Sequence, residues 1–465
     1  MCGSDPVVGI AGDLSMREKS RAYYSSADSV ADLVRQALLN GGLGIRDETA
    51  PLSDIISSGD RVLIKPNWVL ELNHSGHTTD CSITHHTFVL TVIQEVLKAR
   101  PSSVVIADAP IQRADFGKLV PQSFIEGIHQ NHSPAEVTIR DLRNVVTTMN
   151  NGCSLQKRGL RSESSVVKFD LGPDSMLEEI STQNNRFRVT CYNPEVMQNA
   201  HRRGSHIYKL CAEPFDADVV INLPKLKTHG KAGITAALKN VVGLNADKDV
   251  LPHHRFGGSR IGGDCYEGLK PLKLIGEFCL DRANRQFGLA NSSWWAHLYK
   301  VCLLPHILFR DGNMEGKWHG NDTVWRMVID LNRLLVYGRR DGTISENPQR
   351  KIYSITDGIL AGEGNGPLAP LPLPLGMVTF GADSALIDLV HAGLFHFDWQ
   401  KIPLIRECFR PTSKFPITKH RPEDVKVVTN LGEMSPTESA QLFGISAFPP
   451  DGWKNHIEAD YWMER

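Results

Sequence analysis

Residues 216–254 read DADVVINLPKLKTHGKAGITAALKNVVGLNADKDVLPHH, and this stretch decides the fold. It opens with Val219-Val220-Ile221-Asn222-Leu223, a β-branched apolar run of buried-strand character, and Pro224 predicts that the chain leaves the sheet there. Lys225, Lys227 and His229 then occupy alternate residues of the exit segment. Gly230 and Gly233 permit turning, and residues 234–238 read as the start of a helix carrying Lys239 and Asn240. Cationic and titratable groups therefore gather at a strand's carboxyl end, where open α/β sheets bind ligands. Most lysines are simply solvated. A Pro-Lys-x-Lys-x-His-Gly run held between an apolar strand and a glycine-punctuated helix is not ordinary loop composition, so the segment is assigned to a ligand site.

Outward from this segment the same pattern recurs. Arg61-Val62-Leu63-Ile64-Lys65 is a second strand ending in lysine, followed by Pro66, Asn67 and Trp68. A polar segment with His74, His77 and Thr79 follows, then a helical pattern over 84–97 and a strand over 104–108. This β-loop-α-β order implies a right-handed crossover and a parallel sheet. Strands are also expected at 352–356, ending in Asp357-Gly358, and at 377–381, with a helix over 384–394 capped by Asp383. Between them Glu363-Gly364-Asn365-Gly366-Pro367 reads as a glycine-rich loop holding a carboxylate and an amide where a ligand can approach the main chain.

The fold class expected is α/β: one or two largely parallel sheets flanked by helices, with a small β-rich insertion and a helical insertion. The divisions are an N-terminal α/β part (1–130), a polar β-rich insertion (131–205), the core strand and basic segment (206–264), a helical insertion (265–345), a C-terminal α/β core (346–410) and a tail (411–465). Residues 26–39 form a helix behind a Ser/Asp cap, and 322–336 form the clearest amphipathic helix, capped by Asn321 or Asp322.

Composition bounds the function. The 465 residues, 41% hydrophobic and 22% charged with net charge −1, describe an ordinary globular chain with no global field for nucleic acid or acidic membranes. Nine dispersed cysteines with no C-x-x-C argue against a disulfide framework, a zinc knuckle and an iron–sulfur cassette, and fit a reducing cytoplasm. No run of apolar residues is long enough to span a membrane. His74, His77, His85 and His86 are read as solvated or helix-capping, whereas His253 and His254 with Asp264 are a candidate metal set.

The segments RVLIKPNWV, VVIADAP, DADVVINLPKLKTHGKAGITAALKNVVGLN, SITDGILAGEGNGPL and VTFGADSALIDLV resemble, in order over about residues 60–405, the signature segments of the domain-of-unknown-function 362 family. Many members carry a ferredoxin-like cysteine cassette, which this sequence lacks. The order apolar strand, Pro, His, Gly-rich turn, Lys, Gly, Asn, His is also similar to the catalytic segment of the nickel-pincer lactate racemase family. That likeness implies a shared architecture and site location, with His229, Lys239 and His253 or His254 as counterparts.

These readings lead to an enzyme acting on a small anionic or polyhydroxylated metabolite by Lys/His acid–base chemistry, either a lyase or isomerase (elimination, epimerisation or a related carbanion step) or a metal-dependent oxidoreductase. The catalytic candidates are His229, Lys239, Lys227 and His254, and the substrate-binding candidates are Lys65, Asn67, Lys225, Asn240, Thr79, Glu363 and Asn365. The cofactor is left unknown, with room for a divalent metal at His253, His254 and Asp264. A small-molecule partner is expected rather than nucleic acid or membrane, and a homo-oligomer is compatible with the sequence. A non-catalytic protein that holds a cofactor or ligand is the alternative.

Overall fold

The computed structural model describes residues 6–12, 17, 24–130, 134–150, 153–182, 186–286, 290–308, 314–411 and 414–460. In chain order the strands are β1 (Val7–Gly12), β2 (Arg61–Pro66), β3 (Ser103–Asp108), β4 (Glu136–Asp141), β5 (Val145–Asn150), β6 (Cys153–Arg158), β7 (Val166–Asp170), β8 (Phe187–Arg188), β9 (His201–Arg202) and β10 (Ser205–Cys211). They continue as β11 (Val219–Leu223), β12 (Lys225–His229), β13 (Gly233–Thr235), β14 (His254–Arg255), β15 (Lys351–Asn365), β16 (Ala369–Leu373), β17 (Met377–Gly381), β18 (Lys426–Thr429) and β19 (Gly432–Met434).

One large sheet runs in the order β19-β18-β1-β17-β15-β11-β2-β3-β4. Its block β15-β11-β2-β3-β4 is wholly parallel, and β17 is antiparallel to β15 and β1. The five strands expected from sequence at 61–65, 104–108, 218–223, 352–356 and 377–381 therefore share this sheet. Its side chains alternate between two cores. Val219, Ile221 and Leu223 pack with helices Ala27–Asn40 and His86–Lys98, whereas Val220 packs with helices Val324–Tyr337 and Ser384–Leu394. Burying each such aliphatic side chain contributes about 1.5–3 kcal/mol, which fixes the register.

Four expectations are corrected. The chain does not leave the sheet at Pro224: Asn222 pairs with Ser354 and Lys225 with Asp357 in one register, and the Pro224 carbonyl accepts from Asp357 N at 3.0 Å. Proline costs only a donor here, so β12 continues along β15, a bulge follows, and residues 233–235 return as β13 rather than starting a helix. Second, β15 does not stop at 356. It runs through Glu363 and Asn365 and pairs with β16, so Glu363-Gly364-Asn365 of the expected glycine-rich loop are strand and only Gly366-Pro367 fall in the turn that leads to β16. Third, the polar insertion is not separate from the main sheet, because β4 forms its edge; β5 and β6 make a hairpin, and β7, β10 and β9 a small sheet. Fourth, helix Val324–Tyr337 is buried on nearly all sides. Its polar residues are paired internally, Asp330 with Tyr208 Oη (2.9 Å) and Arg326 with Glu179 (2.8 Å).

The helical insertion is a pair, Pro271–Arg285 and Ala290–Leu308, that leaves Leu272, Ile275, Phe278, Trp294, Val301 and Leu304 exposed. Among the described residues, no helix is long and apolar enough to cross a membrane.

Candidate functional site

The site is built on the carboxyl ends of β2 and β11 and on the β12–β13 hairpin. At its base Lys65 Nζ lies 2.7 Å from Asp108 Oδ1, and both side chains are almost fully buried. Gly243 packs directly on this pair: a Cβ there would lie 2.1 Å from Asp108 Oδ1 and 2.5 Å from Lys65 Nζ. Only glycine allows that approach.

Above the pair lies a net of amides. Asn240 Nδ2 donates to Asn222 Oδ1 (2.7 Å) and to the Lys65 carbonyl (3.1 Å), and its Oδ1 accepts from Asn67 Nδ2 (2.8 Å) and Lys65 Nζ (3.3 Å). Asn67 Oδ1 in turn accepts from Lys227 Nζ at 2.7 Å, and Lys227 also donates to the Ser82 carbonyl. A second ion pair, Lys225 with Asp357, closes the other side with Tyr24, whose hydroxyl accepts from Lys225 (2.9 Å) and donates to Asp357 (2.5 Å). Lys65 and Lys225 are thus already neutralised by carboxylates.

Lys227 and Lys239 differ from that pair. Both are buried, and among the described residues no carboxylate forms an ion pair with either. Burial, reinforced by neighbouring Lys225 and Lys239, brings Lys227 down to about 7. Burial, with Lys248 and Lys231 adding repulsion, brings Lys239 to about 7 as well. Asp388 fixes the backbone that carries Lys239, its two carboxylate oxygens accepting from Ala237 N (2.8 Å) and Leu238 N (3.0 Å).

His229 and His253 complete the arrangement. His229 Nδ1 accepts from the backbone N–H groups of Lys231 (3.0 Å) and Ala232 (3.2 Å), so the neutral ring carries its proton on Nε2. Burial first, then Lys239, Lys231, His253 and Lys227, holds His229 well below the usual histidine range. It is therefore a hydrogen-bond donor and not a base. His253 is the opposite: Nδ1 donates to the Leu251 carbonyl at 2.7 Å, leaving the Nε2 lone pair available. Burial first, then Lys231, Lys239 and Lys248, holds it well below the usual histidine range.

Other sequence candidates lie elsewhere. Glu363 accepts from Phe448 N (2.7 Å), and Asn365 bonds Asp451 (2.7 Å), so both tie β15 to the tail. Thr79 begins the turn whose Ser82 carbonyl holds Lys227. The set His253, His254 and Asp264 is not assembled as a metal site, because the Asp264 carboxylate is consumed by Thr323 Oγ1 (2.6 Å), Asp322 N (3.0 Å) and Arg255 N. His254 instead faces Cys265 and Glu277. Burial raises Glu277 to about 8 and also raises the Cys265 thiol. His85 caps the helix that begins at His86 and stacks on Tyr24 at 3.9 Å.

Sequence reasoning missed Asp108, Asn222, Asp388 and Tyr24 as site components. Tail residue Trp453, whose indole donates to the Gly230 carbonyl at 2.7 Å, was also missed. Asp357 and Asp388 stand at a strand end and on a helix in the sequence, but nothing local shows which backbone or lysine each would meet.

Residues 173–393 match the family described as Domain of unknown function (DUF362). A thylakoid-associated protein of Synechocystis sp. is 25% identical over 195 residues, which covers 42% of this chain and 38% of that protein. The chain thus aligns with well under half of that relative's length. A crystal structure of a Thermotoga maritima protein aligns with 75% of this chain and 53% of its own at 7% identity and a TM-score of 0.33. Similarity to the lactate racemase family is not shown by these comparisons.

Proposed function

We propose, for a chain that belongs through residues 173–393 to the domain-of-unknown-function 362 family, an enzyme that moves a proton at a carbon of a small carboxylate- or phosphate-bearing metabolite. One observation carries this reading. Among the described residues Lys227 and Lys239 are buried without a carboxylate partner, both near 7, beside a histidine locked as a donor. A surface-exposed anion clamp needs no such depression, and a structural lysine would be paired, as Lys65 and Lys225 are.

In this reading the Lys239 amine takes a proton from the carbon next to a carbonyl or carboxyl group. The C–H electron pair moves onto that group's oxygen, which His229 Nε2–H holds by donating to it. The resulting ammonium at Lys239 stabilises the new negative charge, and Lys227 holds the substrate's own anionic group. Returning the proton from Lys239 to the same carbon gives exchange with solvent; a proton from a second acid on the opposite face would give epimerisation, and departure of a group on the next carbon with its electron pair gives elimination. Lys65 and Lys225, expected to neutralise the substrate, act as the frame instead. The seven described free cysteines and the small-molecule character of the site go with a cytoplasmic enzyme.

The test is solvent exchange. Purified protein is incubated in deuterated water with 2-hydroxy, 2-keto and phosphorylated acids, and loss of the adjacent C–H signal is followed by proton NMR. At least one acid is expected to exchange, and Lys239→Met to abolish it. Ligands that bind without any exchange would favour the non-catalytic cradle.

A further inference from the structure

We propose that His254, Cys265 and Glu277 form a binding site for a zinc-class divalent ion, next to the lysine pocket but separate from it. The three side chains are buried, and one donor atom from each lies within 4.8 Å of the others. Among the described residues His254 Nδ1 is buried with no hydrogen-bond partner, a loss of about 1–3 kcal/mol that a bound ion would remove.

The surroundings are built for the same purpose. Glu277 accepts from the Gly257 N–H through both oxygens (3.2 and 3.0 Å), which orients the carboxylate. Glu315 N donates to Cys265 Sγ at 3.2 Å, a contact that fixes the sulfur and that a metal-bound thiolate would keep. His254 is fixed by the pairing of β14 with β8, and the three residues line a small cavity with Tyr299, Met314 and Glu315. Imidazole, thiolate and carboxylate together suit zinc better than calcium or magnesium, and three protein ligands leave a position for water.

The residues come from a strand, a loop and a helix with no motif spacing, which is why the sequence pointed to Asp264, one residue short of Cys265. The adjacent histidines divide the work, His253 serving the lysine pocket and His254 this cluster. Lys231 acts on both rings, so the two sites are neighbours.

The test uses the full chain, stripped with chelator and titrated with cobalt(II) as a spectroscopic stand-in for zinc. The expected result is about one equivalent bound, with a sulfur-to-cobalt charge-transfer band and the strong visible bands of a tetrahedral site. Zinc should displace the cobalt, whereas calcium and magnesium should not. Cys265→Ser should lose the charge-transfer band, and His254→Gln should weaken binding by at least about a hundredfold, since even outer partners of metal ligands cost ten- to hundredfold. Exposed Cys191→Ser should leave the spectrum unchanged. Absence of the band in stripped wild-type protein would overturn the proposal without recourse to any variant. So would a band that survives in folded Cys265→Ser or vanishes in Cys191→Ser.

Discussion

Lys225 Nζ lies 3.0 Å from Asp357 Oδ2, and neither side chain is exposed to solvent. The pair joins β12 to β15 at the point where Pro224 withholds a backbone donor, so a charge pair takes up part of the cross-strand attachment there. It belongs to the frame of the site and not to its reactive surface.

Removing one partner should therefore cost stability more than chemistry. Asp357→Ala leaves a buried ammonium uncompensated and should lower unfolding free energy by about 3–5 kcal/mol in urea denaturation. Replacing both residues by apolar ones of similar size should recover most of that loss. If Asp357→Ala retains full stability but is inactive, Lys225 belongs to the chemistry after all.

The buried lysines make stability depend on pH. Lys227 titrates near 7 when folded and at 10.5 when unfolded, so between these values the unfolded chain holds a proton that the folded chain does not. Stability should thus rise with pH across this window and be flat with respect to this group below it. The slope is at most about 1.4 kcal/mol per pH unit. Chemical denaturation at pH values of about 7 and 9 should show the rise, and Lys227→Met should reduce it. An unchanged slope in that variant would place the lysine's titration elsewhere.

The parallel sheet was legible because its strands are continuous apolar runs, and buried parallel strands have that composition. Lys225, Lys227 and His229 on alternate residues also carried a strand signal, since period two is the pleat's own spacing. It was masked by the lysines' usual solvation and by Pro224. The buried carboxylates' partners were not legible: Asp108 meets its counter-ion Lys65, and Asp388 the Ala237 amide, only through the folded sheet, across 43 and 151 residues. His229 and Lys239 were legible as site residues, but the division of proton roles was not, because it depends on which ring nitrogen the backbone occupies.

Asp388 should act as a positioning residue. Its carboxylate holds the two amides that start the turn bearing Lys239, and it is fully buried. Asp388→Ala should cost about 1–3 kcal/mol for the two amides left unsatisfied. Asp388→Asn keeps one acceptor and should retain more of both stability and rate. Solvent-exchange rates should fall with little change in the pH at which activity is half-maximal, because Lys239 keeps its surroundings. A shifted midpoint would show that Asp388 acts on the proton affinity of Lys239.

Lys239 separates proton transfer from passive anion binding. A lysine that only supplies charge tolerates arginine, since the positive charge persists. A lysine that must be neutral to accept a proton does not, because a guanidinium stays protonated at any working pH. With Lys239 near 7, the wild-type exchange rate should rise as pH increases through about 7, tracking the free amine. Lys239→Arg should bind the exchanging acid within about tenfold of wild type, ~1.4 kcal/mol, yet exchange at least about a hundredfold more slowly at every pH. Affinity by calorimetry and exchange by NMR can be read on one preparation. A variant that keeps most of the rate, or a wild-type profile flat through neutrality, would make Lys239 an electrostatic clamp and transfer the base role to His253, whose Nε2 lone pair is the remaining acceptor beside His229.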